Sequence, residues 1–197
     1  MTLKTELNER RSRWALLNHP FYQAWESGKL PVDALRTYAR QYGAFIRLLP
    51  DGWQTLNDAE TAEEERQHAA LWQDFAEGLS TEINQAELPA VAALVENSAK
   101  LFARPETALG ALYAFEVQQP DTAKTKLDGL RKHYQLPRSV EPYFEAHTNN
   151  QREAAKLLVR ISELAPEQQA AALSACEQMS EALWNALTDI YDTHCKN

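Results

Sequence analysis

Cysteine, glycine and basic charge are all scarce in this 197-residue chain, and each scarcity removes a class of function. Two cysteines, Cys176 and Cys195, cannot build the disulfide framework of a small secreted domain, which points to a reducing compartment. The N-terminal stretch Met-Thr-Leu-Lys-Thr-Glu-Leu-Asn-Glu-Arg-Arg has no hydrophobic signal core, so a cytoplasmic location is expected. No apolar run approaches the roughly 18 residues of a membrane span, so no membrane association is expected. With 20 basic against 28 acidic residues and a net charge of −8, there is no basic surplus to displace phosphate counterions. Nucleic acid is therefore not expected as a partner. The six glycines stand at 28, 43, 52, 78, 110 and 129, too dispersed for a phosphate-cradling loop or a dinucleotide fingerprint. No nucleotide cofactor is expected.

What is abundant favours helix. Alanine, leucine, glutamate and glutamine dominate, and β-branched residues are sparse. Hydrophobic residues make up 44% and mean hydropathy is −0.53, which describes an ordinary water-soluble composition. A chain of this size folds as one domain, 1–197, without covalent staples, burying roughly 70% of its unfolded surface. Nine prolines punctuate it, and the segments between them carry helical periodicity. Helices are expected over about 2–17, from Pro31 past Gly43 to a break at Pro50, and over 60–79, 87–103, 105–118 and 121–134. Two more are expected, one from Ser139 to just before Pro166 and one over 166–194. Asn18-His19-Pro20-Phe21-Tyr22 reads as a turn. The fold class is all-α, a compact bundle of seven or eight helices.

Three polar residues fall where a core helix should be apolar. His68 lies in the stripe His68, Leu71, Trp72, Phe75, Leu79. Glu116 shares a face with Leu109, Leu112 and Tyr113. His147 belongs to the stripe Phe144, His147, Gln151, Ala154, Leu158, Ile161. A buried carboxylate needs a cation, a donor or a metal. Two imidazoles and a carboxylate from three helices suit iron or manganese better than zinc. Singly, each residue reads first as a hydrogen-bonded core group or a capping or paired carboxylate; only the three together bring the site reading level with that one. Glu64 and Glu65 lie within one turn of His68 and could join it. Thr61-Ala62-Glu63-Glu64 also has the pattern of a capping box, which would turn Glu64 to the helix start.

At these residues the chain resembles the haem-oxygenase-like superfamily of TenA, PqqC and CADD, most of all its CADD-like branch. The matching stretches are His19-Pro-Phe-Tyr-Gln-Ala-Trp-Glu-Ser-Gly-Lys-Leu30, Tyr38-Ala-Arg-Gln-Tyr42 and His68-Ala-Ala-Leu-Trp-Gln-Asp-Phe-Ala76. Leu112-Tyr-Ala-Phe-Glu116-Val-Gln-Gln-Pro120, Lys126-Leu-Asp-Gly-Leu130 and Tyr143-Phe-Glu-Ala-His147 follow in order. The resemblance implies a helical bundle, a homodimer and a six-ligand dinuclear centre that activates oxygen. His68, Glu116 and His147 match three of those ligands. The other three positions hold Thr61, Gln151 and Ala154, where the branch has glutamate, aspartate and histidine. The resemblance therefore implies one iron or manganese ion rather than a full di-iron centre, with Glu64 a further candidate ligand, or a pocket without metal.

The same branch makes 4-aminobenzoate from an internal tyrosine, with a lysine implicated as amino donor. Tyr22 and Lys126 match those positions, while Phe115 replaces a tyrosine. Aromatic packing for Tyr22 and a solvated charge for Lys126 are the plainer alternatives. The cysteines lie far from the middle helices where a TenA-type nucleophile stands. His19 is the nearest counterpart of a haem ligand, but no glycine-rich distal helix accompanies it, so neither thiaminase chemistry nor haem is expected. The leading expectation is an oxygen-activating oxidoreductase with a reduced non-haem iron site. Its small-molecule ligand would sit in an apolar pocket bounded by Tyr22, Tyr42, Tyr143 and Gln151. A bundle that binds without catalysing is the second expectation, and synthesis from Tyr22 and Lys126 the third.

Overall fold

In a computed structural model, residues 2–149 and 151–196 are described, and among them there is no strand. The helices are α1 (Leu3–Ser12), α2 (Pro20–Glu26), α3 (Val32–Thr37), α4 (Gly43–Ile46), α5 (Leu49–Thr55) and α6 (Ala59–Gly78). They continue with α7 (Pro89–Phe102), α8 (Pro105–Glu116), α9 (Gln119–His133), α10 (Pro142–His147), α11 (Arg152–Ser162) and α12 (Pro166–Cys195). The expected all-α bundle is present. Seven of the nine prolines occupy the first turn of a helix, at 20, 50, 89, 105, 120, 142 and 166. There the missing N–H has no intrahelical partner to lose and φ is already helical. Among the described residues, no helix is long and apolar enough to cross a membrane.

Helix α8 is the axis of the bundle, with every residue from Ala108 to Glu116 buried. Helix α12 packs along it, with α11, α5 and α7 around the remaining faces. Gly110 makes the α8–α12 approach possible, because a Cβ there would lie 1.9 Å from the Ala172 carbonyl oxygen. A second layer of large aromatics fills the space between α2, α3, α6 and α10. Trp25, Tyr38, Trp72, Phe75, Tyr143 and Phe144 are all fully buried, mostly in edge-to-face contact.

Several segments depart from the periodicity, each for a local reason. Helix α1 stops at Ser12, and Pro20–Glu26 is helical rather than a turn, its start capped by the His19 ring, which accepts from Phe21 N–H at 2.9 Å. Between α3 and α4 the chain widens into a π-helix, Tyr38–Tyr42, and the Ala39 carbonyl accepts from Trp72 Nε1 at 2.9 Å. Helix α6 is capped by Asp58, which accepts from Thr61 N–H at 3.2 Å, so Thr61 lies inside the helix and no capping box starts there.

The change that matters most for function comes after His147. The expected continuous helix to Pro166 is two helices, α10 and α11, which do not share one register. Gln151 is exposed at the N-cap position of α11 and makes no side-chain capping bond, Ala154 is half-buried, and Glu153 turns inward with 3% of its surface accessible.

Candidate metal centre and the tyrosine–lysine chamber

Helices α6 and α10 bring Glu65, His68 and His147 together, with donor atoms all within 4.8 Å of one another. Glu65 and His68 are three residues apart, so both point from one face of α6. Glu65 Oε1 lies 2.9 Å from His68 Nδ1, and the two imidazole centroids are 4.3 Å apart. His147 Nδ1 is 2.6 Å from the Tyr143 carbonyl oxygen, which can only accept, so Nδ1 carries the proton. Its Nε2 lone pair is thereby free for a cation, the arrangement usual for a metal-bound histidine. Burial, reinforced by the neighbouring His68 and by Lys126, pushes His147 down to about 3 and keeps it neutral. Burial also opposes protonation of His68, but the hydrogen bond and charge of Glu65, followed by Glu64 and Glu153, outweigh it and raise its pKa.

Of the two glutamates near His68 in sequence, Glu65 faces inward. Glu64 points outward, with its carboxylate 3.8 Å from Arg152, and is not among the clustered donors. Glu116 is buried to 4% accessibility, and its Oε1 has no hydrogen-bond partner among the described residues. The Trp53 indole N–H lies beside it without closing a hydrogen bond. Desolvation, then the charges of Glu65 and Glu153, hold Glu116 well above the usual carboxylate range. Glu153 was missed in the sequence reading. It too is buried, its Oε2 is unpartnered, and burial raises its pKa.

A buried carboxylate oxygen with nothing to accept from is costly, typically about 1–3 kcal/mol. The two imidazoles and the Glu65 carboxylate fit a divalent transition metal by donor type, with the orphaned oxygens of Glu116 and Glu153 in the same buried neighbourhood. A cavity of about 270 Å³ opens onto Glu116 and is also lined by Tyr113, Gln151 and Ala154.

Beyond the histidines lies a second assembly. Lys126 on α9 is 2% exposed and donates to the Tyr38 hydroxyl at 3.2 Å. Its amine lies 5.5 Å from the Tyr22 ring centroid, 5.6 Å from Tyr38 and 5.0 Å from Phe144. It has no carboxylate partner among the described residues. Burial alone lowers its pKa to about 7, so a large share of the amine is neutral at neutral pH. Tyr22, Tyr42 and Tyr143 line the same interstice with Tyr38, and burial raises all four phenols, keeping them protonated. The interstice does not admit even a water-sized molecule. Gly129 lets α2 close on this chamber, because a Cβ there would meet Trp25 Cδ1 at 2.7 Å while Trp25 Nε1 donates to the Lys126 carbonyl. Aromatic contacts join the two assemblies. Tyr38 packs on Trp72 with centroids 5.2 Å apart, Trp72 on Tyr143 at 4.7 Å, and Tyr143 on His147 at 4.4 Å.

His19 stands outside both assemblies. Its Nδ1 caps α2 and its Nε2 lies 2.9 Å from the Thr188 hydroxyl, so both ring nitrogens are engaged.

The chain is 32% identical to the 4-aminobenzoate synthase of Nitrosomonas europaea, over all of this chain and 94% of that protein. Its fold matches a TenA homologue from Pseudomonas syringae pv. tomato with TM-score 0.79 at 13% identity, covering 97% of this chain and 93% of the other. It also matches a CADD-like protein of unknown function from Nostoc punctiforme with TM-score 0.68 at 16% identity, covering 99% and 97%. The family model described as "iron-containing redox enzyme" matches residues 51–184, so the chain belongs to this haem-oxygenase-like family and, within it, to the CADD-like branch.

Proposed function

We propose that the protein is a 4-aminobenzoate synthase that consumes its own Tyr22 and Lys126, with iron held by Glu65, His68, His147 and Glu116. The observation that carries this reading is the sealed chamber. The Lys126 amine, without a carboxylate partner among the described residues, lies 5.5 Å from the ring centroid of buried Tyr22 in an interstice too small for a water-sized molecule. The full-length similarity to a protein named 4-aminobenzoate synthase supports the same conclusion.

The carbon count of the product sets what each residue must do. 4-Aminobenzoate contains six ring carbons and one carboxyl carbon, which are the ring and Cβ of a tyrosine. Its nitrogen lies opposite the carboxyl, at the carbon that bears the phenol oxygen in Tyr22. Lys126 is the amine at hand for that carbon, and desolvation supplies the neutral lone pair. A C–N bond would form there as the phenol oxygen leaves as water. The Lys126 Cε–Nζ and Tyr22 Cα–Cβ bonds would break, and dioxygen with an external reductant would be the redox partners that take Cβ to the carboxylate. Tyr38 orients the amine through its hydroxyl. The aromatic packing excludes bulk water that would compete for an oxidised ring. Iron, when bound, supplies oxygen activation.

The test is single-turnover chemistry. Protein loaded anaerobically with Fe(II) and then given oxygen and a reductant is expected to release at most one 4-aminobenzoate per chain. Tyr22→Phe and Lys126→Met should release none. Catalytic turnover on an added aromatic substrate, with Tyr22 intact, would refute the reading.

One observation favours a second reading, an iron oxygenase acting on a free small molecule. The cavity beside Glu116 is near the lower size limit of ordinary ligand sites, roughly 300 Å³. Turnover on an added substrate is the result that would select it.

A further inference from the structure

Excision of the Tyr22 side chain and the Lys126 amine leaves a space inside the bundle, and the surrounding contacts decide whether it closes. Tyr22 is 2% exposed, and among the described residues its one aromatic partner is Phe21, at 5.7 Å between centroids. The walls are held by contacts that bypass it. Tyr38 packs on Phe21, Trp25, Tyr42 and Trp72 with centroids 4.8 to 5.7 Å apart. Trp25 Nε1 donates to the Lys126 carbonyl at 3.1 Å and its ring abuts Gly129, which fixes α2 against α9. A core braced in this way relaxes only partly when a side chain is lost, so a cavity remains.

That cavity keeps a polar end. The Tyr38 hydroxyl oxygen accepts from Lys126 Nζ at 3.2 Å, and loss of the amine leaves this buried oxygen without its donor. The Thr122 hydroxyl and the Gln119 amide line the same interstice, beside apolar walls from Leu16, Ile46 and Phe115. Lys126 is the one charged residue on that lining, so the chamber without its amine holds no cation. Helix α2 covers it as a single layer, with Phe21, Tyr22 and Trp25 buried and Pro20, Gln23 and Glu26 exposed.

We propose that the emptied chamber is a binding site for neutral single-ring aromatics carrying one hydroxyl or amino group, and that it rejects the carboxylate it has just made. The proposal rests on the reading of Tyr22 and Lys126 as the consumed residues and adds what the spent chain binds. Largely apolar cavities of about this size take small aromatic rings. A phenol or an aniline refills the lost volume and donates to the Tyr38 oxygen. 4-Aminobenzoate has the same ring but brings a negative charge into a space with no partner for it, which is costly. The charge of the product thus drives its own release past α2.

The spent state is mimicked in the full-length, metal-free protein by Tyr22→Gly, alone and combined with Lys126→Met. Binding is read by calorimetric titration and by the shift in Tm at pH 7. The probes are p-cresol, which is the lost tyrosine side chain as a free molecule, and 4-aminobenzoate. p-Cresol is expected to bind both variants and raise their Tm, and to leave the wild-type Tm unchanged because Tyr22 fills the space. 4-Aminobenzoate is expected to bind Tyr22→Gly, where Lys126 can pair with it, about 100-fold more tightly than the double variant. Tyr22→Ala, with a better helix former, repeats the series wherever the glycine variant is unfolded without ligand. No response to p-cresol in any of these variants would overturn the cavity. A wild type that responds equally would place p-cresol elsewhere and also overturn it. Equal affinity of 4-aminobenzoate for the single and double variants would overturn the charge argument and with it the proposal. Neither metal nor oxygen is used, so these outcomes are independent of whether the wild type releases 4-aminobenzoate.

Discussion

Lys126→Met gives the most informative perturbation, because stability and function should move in opposite directions. Methionine keeps the length and apolar stem of the side chain while removing the amine. Burial lowers Lys126 from 10.5 to about 7, with no opposing charge. At about 1.36 kcal/mol per pH unit, that difference corresponds to roughly 4–5 kcal/mol carried against the folded state at pH 7. The folded pKa lies below the unfolded one, so between them the unfolded chain holds a proton that the native state sheds. Native stability therefore rises as pH climbs from 7 towards 10. Removing the amine also loses its hydrogen bond to Tyr38, worth about 1 kcal/mol. Lys126→Met is thus expected to be about 2–4 kcal/mol more stable than wild type at pH 7, or roughly 5–15 °C in Tm for a domain of this size. The advantage should shrink at pH 9.5. Urea denaturation of both metal-free proteins at the two pH values is the assay. A destabilised variant, or a difference that does not change with pH, would refute the argument that Lys126 is an unpaired, desolvated amine.

Other outcomes follow from the same geometry. Glu65→Gln should weaken metal uptake at the histidine cluster while Glu64→Gln leaves it intact, as metal analysis after Fe(II) loading will show, because only Glu65 faces His68 and His147. Burial lowers His19 to about 4 while the unfolded value is near 6.5, so the unfolded chain takes up a proton first and stability is lost as pH falls through that window. The loss traceable to His19 is at most about 3 kcal/mol. His19→Asn should flatten that part of the profile in urea titrations, and an unchanged slope would contradict it. Gly110→Ala would force a Cβ to within 1.9 Å of the Ala172 carbonyl and separate α8 from α12, a cost of about 3 kcal/mol or more visible as a lowered melting temperature.

The bundle was legible because its helices announce themselves twice, by apolar periodicity and by prolines that begin them. The site was legible where a polar residue interrupts a long, regular stripe. His68 and Glu116 lie on uninterrupted helices, α6 and α8; Glu116 is buried and His68 is half-buried against Glu65 and His147. His147 lies on a short one, and helical phase does not survive the break after it, so Gln151 is exposed and Ala154 half-buried, both lining the cavity beside Glu116. Thr148-Asn149-Asn150 was the available signal for that break, since such side chains compete for backbone groups; Asn150 lies outside the described residues. Glu153 has no inward signal once the helix is taken as continuous. Lys126 read as a surface charge as readily as a functional one, because nothing in Lys-Leu-Asp-Gly-Leu reveals that α2, the Tyr38–Tyr42 π-helix and α10 close over it.

Isotope tracing tests the central claim, that the product is built from the chain itself. Protein produced with ring-labelled tyrosine and ε-15N-lysine would be loaded with Fe(II), exposed to oxygen and reductant in unlabelled buffer, and separated into small molecules and polypeptide. The account predicts 4-aminobenzoate carrying both labels, and a polypeptide lighter by the side chain of Tyr22 and altered at Lys126. Unlabelled 4-aminobenzoate, or labelled product released from a chain of unchanged mass, would contradict it.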